Sequence, residues 1–171
     1  MTRYDVLESA GTKEARHCAE QVWKNEGDSQ IPVDLVKVIN ALALVRLGTT
    51  ELPAHVRGMC AEIAPGEGAI AYTPNASFLS KRWTVAHEIG HWCMGHVSSI
   101  GAPTSFLKEY HEQEANAFAG ALLIPQSDFL AFCKQDKPSI PQIQQRYQVT
   151  APIAGVAIQR PGILKYISAP K

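Results

Sequence analysis

Apolar residues recur at three- and four-residue spacing between Thr12 and Asn25, at Ala15, Cys18, Ala19, Val22 and Trp23, with charged side chains in the gaps. That period is a helix with one buried face. Thr12 is placed to cap it and Gly27 to end it. Pro32, a favoured first-turn residue, opens a second helix through Val33, Val36, Ile39 and Asn40. Ala43 to Leu47 fits either a short strand or a helix end. Val56 to Ile63 and Ala69 to Tyr72 read as strands around Pro65-Gly66-Glu67-Gly68, a turn by composition. Helical pattern then returns from Ser80 to Met94, closed by Gly95, from Glu109 to Ile124, stopped by Pro125, and from Ser127 to Cys133. The fold class is α+β. Residues 1–136 form the main domain and 137–171 a small C-terminal helical unit with the outline of a helix-turn-helix, Ile140–Tyr147 followed by Ala151–Gln159.

The helix from Ser80 is the informative one. Val85, Ala86, Ile89, Trp92, Cys93 and Met94 make it apolar nearly all round, which places it in a core. Yet it carries His87, Glu88 and His91, and buried polar groups need partners. Residues four apart on a helix differ by roughly 40° around the axis, so both imidazoles reach one ion. Two neutral nitrogen donors suit zinc, and a catalytic zinc keeps one position for water. Glu88, turned aside by about 100°, is placed to take a proton from that water.

A third ligand is still needed. The HExxHxxGxxH pattern would require Gly at position 94 and His at 97, where this chain has Met94 and Val97. A glutamate on the following helix is the alternative. Glu112 shares a face with Ala115, Asn116 and Ala119, small enough for close helix approach, and Asn116 can orient a ligand histidine. Glu114, about 200° around the helix from Glu112, and Glu109 are the other candidates. His96 and Tyr72 are candidate oxyanion stabilisers, each set against a plain reading, as a surface histidine and a strand-end tyrosine. Ala69–Tyr72 is a candidate sheet edge for an extended substrate. His17 and His55 stand alone and read as solvated.

Composition narrows the function. Sixteen basic and 16 acidic side chains give a net charge of zero, so nothing draws the chain to nucleic acid or an anionic membrane. The second tail helix carries no basic residue before Arg160, which favours a structural or substrate-docking unit over a DNA reader. No run reaches the roughly 20 apolar residues of a membrane span. The first residues show no secretory h-region, and the four cysteines form no CxxC pair. The expected location is the cytoplasm, with reduced thiols.

Lys81-Arg82-Trp83-Thr84-Val85-Ala86-His87-Glu88-Ile89-Gly90-His91 resembles the RFTLAHELGH signature of the ImmA/IrrE-type zinc metallopeptidases. Glu112-Gln113-Glu114-Ala115-Asn116-Ala117-Phe118-Ala119-Gly120-Ala121-Leu122-Leu123-Ile124-Pro125 resembles that family's ExEANxFAxxLLMP block, and Ile31-Pro32-Val33-Asp34-Leu35 its opening helix. The resemblance spans roughly residues 12 to 135; Trp83, Gly120 and Ile124 depart from it without touching the proposed chemistry. It implies a zincin-like fold of the gluzincin kind, with the HExxH helix and a following ligand helix beside a small twisted sheet. By position the third ligand is Glu112. The implied activity is a cytoplasmic zinc endopeptidase that cleaves a helix-turn-helix repressor. The rival is a regulatory protein that binds a repressor or toxin–antitoxin partner, keeping the zinc fold without proteolysis.

Overall fold

Each helix begins where a side chain satisfies its free amides. The computed structural model describes residues 9–42, 44–97 and 108–167. Helix α1 (Ala10–Asn25) is capped by Ser9, whose hydroxyl accepts from the Thr12 amide at 3.2 Å. It therefore starts before Thr12, which lies inside the first turn. Helix α2 (Leu35–Ala41) opens on Asp34 rather than Pro32, because the carboxylate accepts from the Val36 and Lys37 amides at 3.0 and 3.2 Å. The segment of mixed pattern after it is strand β1 (Leu44–Thr49); Ala43 lies outside the described residues.

Strands β2 (Gly58–Ala64) and β3 (Glu67–Tyr72) form an antiparallel hairpin around Gly66, whose φ of 75° suits a residue without a Cβ. β1 pairs parallel with the other side of β3, giving the order β1-β3-β2. Ala69–Tyr72 is thus central, with both sides hydrogen-bonded, and among the described residues the edge strands are β1 and β2. The hairpin decides this: β2 takes one side of β3 and leaves the other for β1.

Helix α3 (Phe78–Cys93), capped by Ser77, runs between this sheet and helix α4 (Glu109–Leu123). Glycines record the tightest approaches. A Cβ on Gly90 would lie 3.1 Å from the Ala115 carbonyl oxygen and 3.2 Å from its Cα, so the backbone of α4 rests on α3 there. A Cβ on Gly68 would strike the Trp92 ring, and one on Gly58 would meet Thr84 and Glu88, so the sheet lies across the other face of α3. α1 packs along α4 and completes the layer.

Helices α5 (Gln126–Asp136), α6 (Ile140–Tyr147) and α7 (Ala151–Ile158) follow. Lys137, at φ 46°, turns the chain between α5 and α6. Ile143, Tyr147, Val149, Ala154 and Ala157 join the buried cluster that includes Phe118, Leu122 and Phe129. Asp128 accepts from the Tyr147 hydroxyl at 2.6 Å and pairs with Arg146 at 2.9 Å. Arg160 donates to the Ile124 and Gly120 carbonyls at 2.7 and 2.9 Å, the second of which also accepts from the Ile124 amide at 3.1 Å. Among the described residues, no helix is long and apolar enough to cross a membrane.

Gly90→Ala is expected to destabilise the protein by about 1 kcal/mol. The gain in helix propensity, up to ~1 kcal/mol, is outweighed by overpacking of ~1–3 kcal/mol against a backbone that has no rotamer to change. Urea titration of both proteins tests this; an equal or more stable variant would show that α4 can retreat freely.

Candidate metal centre

Helix spacing and the α3–α4 contact bring three donors together. His87 Nε2 and His91 Nε2 lie 3.0 Å apart, and Glu112 reaches them with Oε2 3.2 Å from the first and Oε1 3.4 Å from the second. Among the described residues these side chains form a group whose ligand atoms all lie within 4.8 Å of one another. Four donors about 2.1 Å from a zinc ion lie about 3.4 Å from each other, so the spacing and the two-nitrogen, one-carboxylate chemistry both fit zinc. Glu109, exposed at the start of α4, is outside the group. So is Glu114, as expected from its position around the helix, but it is not idle.

The histidines are held in the form that binds a metal. Asn116 Oδ1 lies 3.1 Å from His87 Nδ1 and turns its Nε2 toward the group. Burial pushes the pKa of His87 below its ordinary value, although Glu112 and Asn116 pull the other way. His91 is 1% exposed, and burial, followed by the proximity of His87, His96 and His111, pushes it down to about 3. Both are neutral imidazoles at neutral pH. Glu88, 4% exposed, lies under β2, where a Gly58 Cβ would be 3.1 Å from its Oε1. Burial, with the charge of Glu88 nearby, raises the Cys60 thiol on the same strand to about 12.

His96 is neither a surface group nor a free donor for an oxyanion. It is buried, with Nδ1 2.9 Å from His91 Nδ1 and Nε2 2.9 Å from Glu114 Oε2, so both ring nitrogens are engaged. The sequence held a signal for this. Gly95 ends α3 at φ 69°, the His96 amide donates to the His91 carbonyl at 2.9 Å, and the Gly95 amide to that of Trp92 at 3.1 Å. That terminus sets the side chains of residues 91 and 96 beside each other. His111, which the sequence pattern did not single out, stacks on His96 at 4.4 Å. Tyr72 is partly buried at the end of β3, opposite Gly58 and so at the end of the sheet near Glu88. His17 and His55 are exposed.

A cleft of about 640 Å³ is walled by α1, α3, α4 and α7 through residues including Thr12, Trp83, Gly120, Ile153 and Val156, and none of the three donors lines it. Asn116 lines it as well, joining the cleft to the His87 side of the group.

A helix bearing His-Glu-x-x-His, with a glutamate brought to it by the next helix, is the donor arrangement of a metallopeptidase domain. Residues 53–158 match the family model described as the IrrE N-terminal-like domain, and the chain belongs to the ImmA/IrrE metallopeptidase family. No curated protein sequence matches it. Among solved structures it is similar to a Mycobacterium tuberculosis transcriptional regulator at 13% identity and a TM-score of 0.54. That alignment covers 91% of this chain and 54% of the regulator, so the chain spans about half of that structure's length and the likeness is one of fold.

The depressed pKa of His91 has a consequence for the metal-free protein. Between pH 6.5 and about 3 the unfolded chain binds a proton at this residue and the folded chain does not. Stability is therefore present above pH 6.5 and lost as pH falls, by roughly 1.4 kcal/mol per pH unit for such a group. Urea midpoints of chelator-treated protein from pH 7 to pH 5 should fall accordingly, and His91→Gln should flatten the slope. A wild-type profile no steeper than the variant's would show that His91 is not held neutral by burial.

Proposed function

We propose that this protein is a cytoplasmic zinc endopeptidase that hydrolyses a peptide bond in a protein substrate, a helix-turn-helix transcriptional repressor. The observation that carries the reading is the convergence of His87, His91 and Glu112 on one point with the buried carboxyl of Glu88 on the same helix. His87, His91 and Glu112 would hold zinc, which would supply Lewis acidity and lower the pKa of a water toward neutrality. Glu88 takes the proton of the attacking water and returns it to the leaving amine. His87 and His91, neutral through burial, offer lone pairs without first losing protons. Tyr72 is the remaining candidate donor to the oxyanion.

An extended substrate would pair along the free edge of β2, running past Gly58 and over Glu88. The cleft continuing from Asn116 would take side chains beyond the scissile bond. Residues 137–171 are proposed as a docking unit for the substrate protein, with the boundary at the left-handed turn of Lys137. Membership of a metallopeptidase family supports a metal and a protein substrate, and four cysteines that are all free thiols are compatible with a cytoplasmic location. The similarity to part of a transcriptional regulator favours a second reading, a regulator that binds its partner without cutting it. Glu88 discriminates between the two, because a binder has no use for a buried base beside the metal.

Glu88→Gln is expected to bind one zinc per chain like the wild type and to lose proteolysis by at least ~100-fold, since the amide matches the carboxylate in shape but accepts no proton. Mass spectrometry of candidate repressors after incubation with either protein reads the outcome. Equal cleavage by both would remove Glu88 from the mechanism; wild-type protein that binds a repressor tightly and leaves it whole would favour the second reading. Tyr72→Phe, expected to lower kcat at unchanged zinc content, tests the oxyanion assignment.

A further inference from the structure

We propose that Glu114 and His96 form a hydrogen-bonded relay that fixes the tautomer and orientation of His91, which makes both of them positioning residues for the metal centre. The inference rests on the reading of His91 as a ligand. A carboxylate offers only acceptors, so Glu114 Oε2, at 2.9 Å, accepts a hydrogen bond from His96 Nε2–H. A neutral imidazole carries one N–H, which leaves His96 Nδ1 as an acceptor. His91 Nδ1 lies 2.9 Å from it and must donate. The proton of His91 is thereby on Nδ1, and Nε2, the atom that meets His87 and Glu112, keeps its lone pair. Asn116 does the same for His87 in one step, through its amide oxygen. The two histidines are thus oriented by different devices, one link long for His87 and two links long for His91.

Independent features hold the relay in place. The glycine-ended terminus of α3 sets His96 against His91 where other helices carry an apolar contact. His111 stacks on the His96 ring at 4.4 Å and an interplanar angle of 30°, limiting its rotation. Glu114 is pressed from the far side by the first turn of α1: a Cβ on Gly11 would lie 1.8 Å from its Oε1. The N-terminal end of a helix favours a negative charge beside it. The side chains of His96 and Glu114 are 5% and 17% exposed, so water competes weakly for these bonds. Gly11, Gly95, His96 and Glu114 come from three separate stretches and meet behind one ligand.

Two measurements test the relay. Long-range ¹H–¹⁵N NMR of the imidazoles reads the tautomers in both the metal-free and the zinc-loaded protein. His91 should be protonated at Nδ1 and His96 at Nε2, and Glu114→Ala should release His96 into a mixture. Zinc competition against a chelator should show Glu114→Ala binding roughly 10- to 100-fold more weakly. Glu114→Gln, which still presents an oxygen acceptor, should fall between it and the wild type. Gly11→Ala, which displaces the carboxylate without removing any member of the relay, should also weaken binding. A purely structural role would leave Gln equal to Glu and the tautomers unchanged. His96 protonated at Nδ1 in the wild type, or Glu114→Ala binding zinc within twofold of it, overturns the proposal. A wild-type protein that takes up no zinc overturns the ligand assignment instead, and the tautomers of its metal-free form still decide the relay.

Discussion

The close packing of α4 on α3 is the constraint on which the rest of this structure depends. Gly90 lies between the two histidines of the donor group, and its missing side chain lets the Ala115 backbone approach to ordinary contact distance. Ala115 and Ala119, both fully buried, keep that interface thin. Glu112, one turn before Ala115, is then carried to within 3.4 Å of both imidazoles, and Asn116, one residue beyond, to within 3.1 Å of His87. A larger residue at 90 or 115 would separate the helices and leave two buried histidines facing a distant carboxylate. The donor set follows from helix approach more than from any local preference of its residues.

Burial then decides the chemistry of those donors. Four histidines gather at this end of the molecule, three of them with depressed pKa values set first by desolvation. Several positive charges are disfavoured in so confined a space, so His87, His91 and His96 are biased toward the neutral form, which offers lone pairs. Hydrogen bonds must then settle which nitrogen of each ring carries the proton. Asn116 and the Glu114–His96 pair are the groups in contact with the outward nitrogens. The ring nitrogens of His87, His91 and His96 are tolerated here because they find partners, whereas isolated ones would cost several kcal/mol.

The sheet and the C-terminal helices frame this centre. β2 passes over Glu88 with room made by Gly58, so the strand edge and the candidate base lie together. On the other side Arg160 donates to the end of α4, and with α7 it forms a wall of the cleft that Asn116 also lines. The tail that the sequence marks as a separate unit also contributes Ile143, Tyr147 and Ala154 to the common buried cluster.

The sequence by itself determined the elements that rest on local chemistry. The i, i+4 histidines, the glycine after Met94, the proline after Ile124 and the small residues around Glu112 were legible because helix periodicity and termination act over a few residues. The choice of Ser9 and Asp34 as caps escaped that reading because Thr12 and Pro32 supplied competing local signals. The order of the strands was decided by pairing over long separations: Ala69–Tyr72 looked like an edge until β1 took its open side. The Gly95 terminus hints at the contact of His96 with His91, but the pairing of His96 with Glu114 lay beyond the sequence for a related reason. One follows a helix terminus and the other points away from Glu112, and only the approach of α4 and α1 to α3 puts their polar atoms within hydrogen-bonding distance. Periodicity reports the direction a side chain takes from its own helix; what it meets there is set by tertiary packing.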